Sequence, residues 1–267
     1  MFYNAVNGSI PIADTTMDYI SFGIGHKHLI MIPGLGEGLT TVKGTAIPMA
    51  LMYRKLAKDF RIHVFSRRTE MPDSFTTRDM AEDIYTAMQQ LGIPSANVIG
   101  VSLGGMIVQH LAIDHPEVVE KLILCVTLPC PNPTLVSCLT RWAEYAKSES
   151  FKSILVDTAM KSYTDGYLRK SMWFYRIFAG LFRSKHKDRF ITMAKAGITH
   201  DAKAALHRIS CPTLIIGGRQ DKIVTGEASE HLHQLIPKSE LYMYEDYGHG
   251  LYEEAPDFLQ RVKEFFI

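Results

Sequence analysis

The sequence predicts an α/β protein: a mostly parallel central sheet, helices on both faces, and a helical segment inserted between two core strands. Three observations predict it. Short apolar runs bounded by turn residues alternate with helical stretches from about residue 29 to residue 128, which is the rhythm of strand–helix–strand crossovers. The runs 29–32 and 97–101 are apolar at nearly every position, as suits strands buried on both faces. The rhythm stops at Leu128-Pro129-Cys130-Pro131-Asn132-Pro133 and resumes only at Cys211-Pro212, with helical sequence between.

The elements follow in order. Residues 2–6 read as a strand that turns at Asn7-Gly8, a strong hairpin dipeptide, and returns through 9–12, with 19–22 as a further antiparallel strand. Residues 29–32 form a buried strand that stops at Pro33-Gly34-Leu35-Gly36-Glu37-Gly38. A helix is expected over 46–60, a strand over 61–66, and an amphipathic helix over 77–91 with Met80, Ile84, Ala87, Met88 and Leu91 at helical spacing. A strand over 97–101, a helix over 104–115 and a strand over 121–127 complete the first half. After the insertion come a strand at 213–217, a helix around 227–235, a strand at 240–244 and a last helix over 256–266 with Pro256 at its first position. The expected division is a core of residues 1–128 and 207–267 with a helical cap, or lid, of residues 129–206. Connections that long are usually functional.

Composition narrows the function. A chain of 267 residues with 46% hydrophobic residues buries a sizeable core. Basic and acidic residues number 29 and 28, so there is no basic excess of the kind a nucleic-acid binder carries. Four cysteines make no disulfide framework at this size. The first basic residue is Lys27, which leaves no charged segment ahead of an apolar secretion signal. No apolar run approaches the ~20 residues that span a bilayer. The expectation is a cytoplasmic protein with reduced cysteines, no stable membrane insertion and no nucleic-acid partner.

The chemistry is carried by Gly100-Val101-Ser102-Leu103-Gly104. Gly-x-Ser-x-Gly is common by itself. Here an apolar strand precedes it and an amphipathic helix follows it, the context of a nucleophile elbow. A sharp turn lifts the Ser102 hydroxyl above the sheet edge, and Gly100 and Gly104 make room for it. A serine hydroxyl needs a base and an orienting acid. Of the 11 histidines, His249 stands in Tyr247-Gly248-His249-Gly250, directly after an apolar strand, where it meets the same sheet edge as Ser102. Asp221 follows the strand at 213–217 through Gly218-Arg219-Gln220. Asp246 is the alternative acid, three residues from His249, and Asp201 precedes its strand and so lies at the wrong edge. Two backbone N–H groups are expected to hold the oxyanion: that of Leu103, after the nucleophile, and that of Leu35, in the Gly-rich turn. Gly34-x-Gly36-x-Gly38 has Leu at position 39 and no following GK[ST], so it is no phosphate cradle.

Ile32-Pro33-Gly34-Leu35-Gly36, Gly100–Gly105, the run 211–221 and the run 248–256 together resemble the α/β-hydrolase fold family, serine branch. The resemblance implies a triad of Ser102, Asp221 and His249, a backbone oxyanion hole and a helical cap between two core strands. It implies neither metal nor organic cofactor. The family often has His-Gly where this chain has Pro33-Gly34. Serine at the elbow argues against the haloalkane dehalogenase and epoxide hydrolase branches, which use aspartate. Val101 before Ser102, and no Trp after His249, weaken the likeness to hydrolases of carbon–carbon bonds.

The insertion adds specificity. Between Pro129 and His200 there are 12 basic and 5 acidic residues, so a basic cap could favour anionic substrates; ordinary solvated helix faces are the plainer account. The run from Arg183 to Arg189 reads as an exposed interhelical loop. Met172–Phe182 is apolar on nearly every side, which suits packing on the core, the roof of an acyl pocket or a membrane-touching lid. The expected function is a serine hydrolase that cleaves a carboxylic ester through an acyl-enzyme, on a small acyl substrate that is apolar and, if the cap steers, anionic. The same triad serves lactonases, thioesterases and acyltransferases, and a small-molecule receptor can keep it without catalysis.

Overall fold

A computed structural model describes residues 2–180 and 182–267, the side chains of residues 174–178 excepted. The chain opens with an antiparallel hairpin of β1 (Val6–Ile12) and β2 (Thr15–Phe22). Its turn is Ala13-Asp14, with Ala13 at φ 51 and Ile12 paired to Thr15. The turn expected at Asn7-Gly8 does not form. Both residues lie inside β1, opposite Ile20 and Tyr19. A Cβ on Gly8 would meet the outer end of the Tyr19 ring, which lies over the glycine, and the Asn7 side chain accepts the N–H of Gly44 at 2.7 Å.

β3 (Lys27–Ile32) leads through a single 3₁₀ turn (Leu35–Leu39) to α1 (Ala46–Met52). That helix is shorter than its sequence suggests. Residues 53–59 turn back, with Leu56 and Ala57 fully buried and the Ala57 carbonyl accepting the N–H of Ile24 at 2.9 Å. There follow β4 (Phe60–Arg68), α2 (Thr77–Gln90), β5 (Ala96–Val101), α3 (Leu103–Asp114) and β6 (Val119–Cys125). A reciprocal cap between Thr76 and Asp79 starts α2.

After β6 the chain makes four helices, α4 (Pro133–Lys147), α5 (Phe151–Ser162), α6 (Asp165–Phe178) and α7 (Lys187–Ile198). Asn132 caps α4 by accepting the N–H of Leu135 at 2.8 Å, with Pro133 at the first helical position. The sheet resumes with β7 (Thr213–Gly218), then α8 (Gly226–Leu235), β8 (Ser239–Tyr244), the short α9 (Leu251–Glu254) and α10 (Phe258–Phe266). The last helix does not begin at Pro256. The proline holds Ala255 extended, which separates α9 from α10 and leaves Asp257 as the cap.

The eight strands form one sheet in the order β1-β2-β4-β3-β5-β6-β7-β8. The pairs β1–β2 and β2–β4 are antiparallel, and β3 to β8 are all parallel. Alternate residues of the parallel strands feed two apolar layers. Ile30, Ile32, Val98, Leu122, Leu124 and Ile215 pack with α2, α3 and α8. Leu29, Met31, Ile99, Ile123, Leu214 and Ile216 pack with α1 and α10 on the opposite face. This is why those runs are apolar at every position. Leu135, Leu139, Trp142, Phe190 and Met193 of the inserted helices join the first layer. No helix among the described residues is long and apolar enough to cross a membrane. All four cysteines are free.

Candidate active site

Ser102 occupies the single residue between β5 and α3, at φ 55 and ψ −120. That backbone is strained for a residue with a side chain, and packing enforces it. A Cβ on Gly104 would overlap the Ile32 carbonyl oxygen. One on Gly100 would lie 2.5 Å from the Gly104 oxygen, and one on Gly105 would lie 2.6 Å from Thr127. The absence of these atoms brings α3 down onto β3 and β5. The Ser102 N–H donates to the Cys125 carbonyl at 2.9 Å, and the Ser102 carbonyl accepts the N–H of Gly105 at 2.8 Å.

Asp221 lies just beyond β7 and is buried. Its Oδ1 accepts the N–H groups of Ile223 and Val224 at 2.8 and 3.0 Å. Its Oδ2 lies 2.7 Å from Nδ1 of His249. Their side chains are 1% and 7% exposed. With both oxygens engaged, the carboxylate is fixed and so is the imidazole that donates to it. His249 rides on the loop after β8. That loop is seated on the inserted helices: the Gly250 N–H donates to the Ser162 carbonyl at 2.7 Å. Asp246 is exposed, and so is Asp201, whose side chain caps the N–H of Lys203 at 3.0 Å. Neither is brought to His249.

Ser102 and His249 line one cavity of about 790 Å³ at the carboxyl end of the parallel strands, where open α/β sheets bind ligands. One flank of the cavity lies against α1, with Met49, Met52 and Tyr53; burial pushes the Tyr53 hydroxyl up to about 12, so it stays protonated. The other flank passes Trp142, Thr158 and Tyr167 beneath the inserted helices. A second cavity of about 330 Å³ shares Leu35, Trp142 and Thr158 and extends past Ile154, Leu155 and Phe190. Leu35 opens the 3₁₀ turn and Leu103 opens α3, so their N–H groups precede the first in-helix acceptor. A Cβ on Gly34 would lie 3.2 Å from that of Ser102, which sets the Gly-rich turn directly against the nucleophile elbow. Among the described residues no group of three His, Cys, Asp or Glu could hold a metal ion.

The family model for the alpha/beta hydrolase fold matches residues 27–256. The chain belongs to the α/β-hydrolase fold family. It is 28% identical to a 2-hydroxy-6-oxononadienedioate/2-hydroxy-6-oxononatrienedioate hydrolase of Klebsiella pneumoniae, over 91% of this chain and 88% of that one. It is 26% identical to a pimeloyl-[acyl-carrier protein] methyl ester esterase of Nitrosomonas europaea, over 84% and 93%. An α/β hydrolase from a Medee basin deep-sea metagenome library shares the fold with a TM-score of 0.86 at 20% identity, over 97% of each chain.

Among the described side chains of this α/β hydrolase, the charges of the insertion do not line the cavity. None of its basic residues with a described side chain lines either cavity, whose charged wall residues are Glu37 and Glu253. Lys147, Lys161 and Lys187 pair with Glu144, Asp157 and Glu149 at 2.5–2.7 Å. The segment 183–189 is also not uniformly exposed. Arg189 is buried and bonds the Glu37 carboxylate. Its one sign in the sequence is the nearby apolar set Phe190, Ile191, Met193 and Ala194. Of the apolar run 172–182, Trp173 is exposed and Phe182 lines the smaller cavity. The side chains of residues 174–178, and residue 181, lie outside the described residues.

Proposed function

We propose that this hydrolase cleaves a carboxylic ester or related acyl compound through an acyl-enzyme. The observation that carries the reading is the 2.7 Å contact of His249 Nδ1 with Asp221, on a histidine that shares a cavity wall with Ser102. Asp221, held by two backbone N–H groups, fixes the tautomer with the proton on Nδ1 and leaves Nε2 free to take the Ser102 proton. The serine oxygen attacks the carbonyl carbon, and the oxyanion accepts hydrogen bonds from the Leu35 and Leu103 N–H groups. The protonated His249 then gives its proton to the leaving alcohol. Water, deprotonated by His249, attacks the acyl-enzyme, and the acid leaves as Ser102 recovers its proton. No step needs a metal or organic cofactor.

In this reading residues 129–206 act as a lid, since α4 and α5 roof the cavity through Trp142, Ile154 and Thr158. The substrate carries uncharged apolar groups on both sides of the carbonyl, one arm along α1 and one beneath the lid. An anionic substrate finds no described cation in the cavity wall. Labelling with a fluorophosphonate tests the mechanism. The native protein takes one label, Ser102→Ala takes none, and hydrolysis of p-nitrophenyl acyl esters is lost with the label. A folded native protein that neither labels nor hydrolyses any ester of the panel is a receptor and not an enzyme.

A further inference from the structure

A second set of charges lies behind the oxyanion turn. Arg67, next to last in β4, is fully buried, and its guanidinium donates to the Pro33 carbonyl. Its Nη1 lies 3.6 Å from Glu37 Oε2. Arg189, from α7 of the insertion, bonds the other Glu37 oxygen. It also donates to the carbonyls of Glu37 at 2.8 Å, Thr40 at 3.3 Å, Arg67 at 3.1 Å and Arg68 at 3.2 Å. All three side chains are at most 4% exposed. Two cations thus face one anion, and the cluster carries a surplus positive charge inside the protein.

Such a charge is costly to bury, and apolar residues would fill the same space more cheaply. The cost is visible in the bonding: Arg67 Nε and Nη1 and Glu37 Oε2 have no hydrogen-bond partner among the described residues. Desolvation pulls the Arg67 guanidinium down to about 10, which still leaves it protonated at neutral pH. Its position suggests what the charge does. Pro33-Gly34-Leu35 is sandwiched between the guanidinium, which holds the Pro33 carbonyl, and Ser102, which abuts Gly34. A negative charge forming at the Leu35 N–H would lie two residues from the carbonyl that this buried cation holds, and charge interactions are strong where a guanidinium is withdrawn from water.

We propose that Arg67, Glu37 and Arg189 form a charged backing for the oxyanion turn, with Arg67 as the positioning residue that favours the tetrahedral anion and Arg189 tying the insertion to it. The proposal rests on the serine-hydrolase reading above. Glu37 edges the cavity, but Arg67 and Arg189 line neither cavity, so Arg67 touches no substrate atom in this scheme; it acts through the turn and through its field. It therefore favours the transition state over the bound ester and acts on kcat more than on KM.

The test compares Arg67→Met, Arg67→Lys and Glu37→Gln in the full chain. The readouts are ester hydrolysis and binding of a trifluoromethyl ketone, which forms a tetrahedral oxyanion adduct on serine. The methyl ketone of the same chain reports ground-state binding. Arg67→Met lowers kcat and trifluoromethyl ketone affinity together by about tenfold or more, less than the ~10²–10³ lost with a direct oxyanion donor, while KM and methyl ketone affinity hold within about twofold. Arg67→Lys restores most of the loss. Glu37→Gln removes the anion that both guanidinia face; because Glu37 also edges the cavity, its readout is the ratio of trifluoromethyl ketone to methyl ketone affinity, which a charge effect keeps at or above the native ratio and a mere tether lowers. Unchanged kcat in Arg67→Met, equal damage in Arg67→Lys and Arg67→Met, or a lowered ratio of trifluoromethyl ketone to methyl ketone affinity in folded Glu37→Gln overturns the proposal. If circular dichroism shows Arg67→Met unfolded, the Lys and Gln variants decide by the same criteria. Failure of the native protein to label with fluorophosphonate marks failure of the underlying reading instead.

Discussion

The Gly250 N–H donates to the Ser162 carbonyl at 2.7 Å, so the loop that carries His249 is hydrogen-bonded to the last residue of α5. The neighbouring contacts reinforce the joint. Tyr163 donates to Glu253 and the Thr164 hydroxyl to Glu254, each at 2.6 Å. The inserted helices therefore set the height of the imidazole. A Cβ on Gly250 would lie 2.5 Å from the Tyr163 ring. Gly250→Ala is expected to fold with about 1–3 kcal/mol less stability and to lose about tenfold or more in kcat as His249 shifts. Thermal unfolding and ester kinetics on one preparation check this; native kcat would show that the joint is not part of the site.

Asp221→Asn is expected to be worse than its small size suggests. The amide oxygen remains with the N–H groups of Ile223 and Val224, which turns the NH₂ toward His249 Nδ1 and places the imidazole proton on Nε2. That nitrogen can no longer accept from Ser102. A loss of about 10⁴ in kcat with little change in KM is the expected result, and steady-state kinetics reads it directly.

Gly104→Ala tests the packing of the elbow. The added Cβ overlaps backbone, the Ile32 carbonyl oxygen, and not a movable side-chain end. A destabilisation of about 3 kcal/mol or more is expected, seen as a drop in the urea midpoint. Gly36→Ala, where a Cβ meets nothing within 4 Å, serves as the control and stays near native.

Three buried histidines make stability depend on pH. Burial lowers His63 and His200 to about 3 and His110 to about 4; the proximity of His28 to His63, and of His110 to His200, adds to it. The unfolded chain takes up protons below about 6.5, and the folded chain does not. Stability is thus fully present above that value and falls as the pH drops toward 4, by about 1.4 kcal/mol per histidine per pH unit. The Tm should decline between pH 6.5 and 5, where most carboxylates remain ionised. Imidazole NMR signals for these three residues that titrate near 6.5 would contradict it.

Charge selectivity should run opposite to the net charge of the insertion. With Glu253 in the cavity wall and Lys147, Lys161 and Lys187 of the insertion held in ion pairs, neutral p-nitrophenyl esters should outpace matched esters bearing a terminal carboxylate. Lower salt should widen the gap. A carboxylate ester that gains at low salt would restore electrostatic steering by the basic insertion.

Residues whose roles are local were legible in sequence. Gly100, Ser102 and Gly104 announce a strand–turn–helix because only small residues fit between packed backbones, and the continuous apolar strands announce burial on both faces. Residues whose roles are set by distant partners were not. Asn7-Gly8 has the composition of a turn, yet its glycine lies under the Tyr19 ring across the hairpin. Residues 53–59 have helical composition, but Ile24 takes the Ala57 carbonyl. Glu37 and Arg189, 152 positions apart, look like ordinary surface charges until the fold closes around them.

The insertion leaves the sheet after β6 and re-enters at its neighbour β7, a topology that invites treating it as an exchangeable module. Lengthening or shortening such a connection costs little chain entropy, but Leu135, Leu139, Trp142, Phe190 and Met193 belong to a core layer that a recombined chain would have to refill. Ser162 and Arg189 are further obstacles. A foreign insertion lacking an acceptor for Gly250 and a cation for Glu37 would leave the histidine loop untethered and a buried carboxylate facing Arg67 alone. An insertion exchanged into this chain would therefore have to bring its own partners for the Gly250 loop and the Glu37 turn.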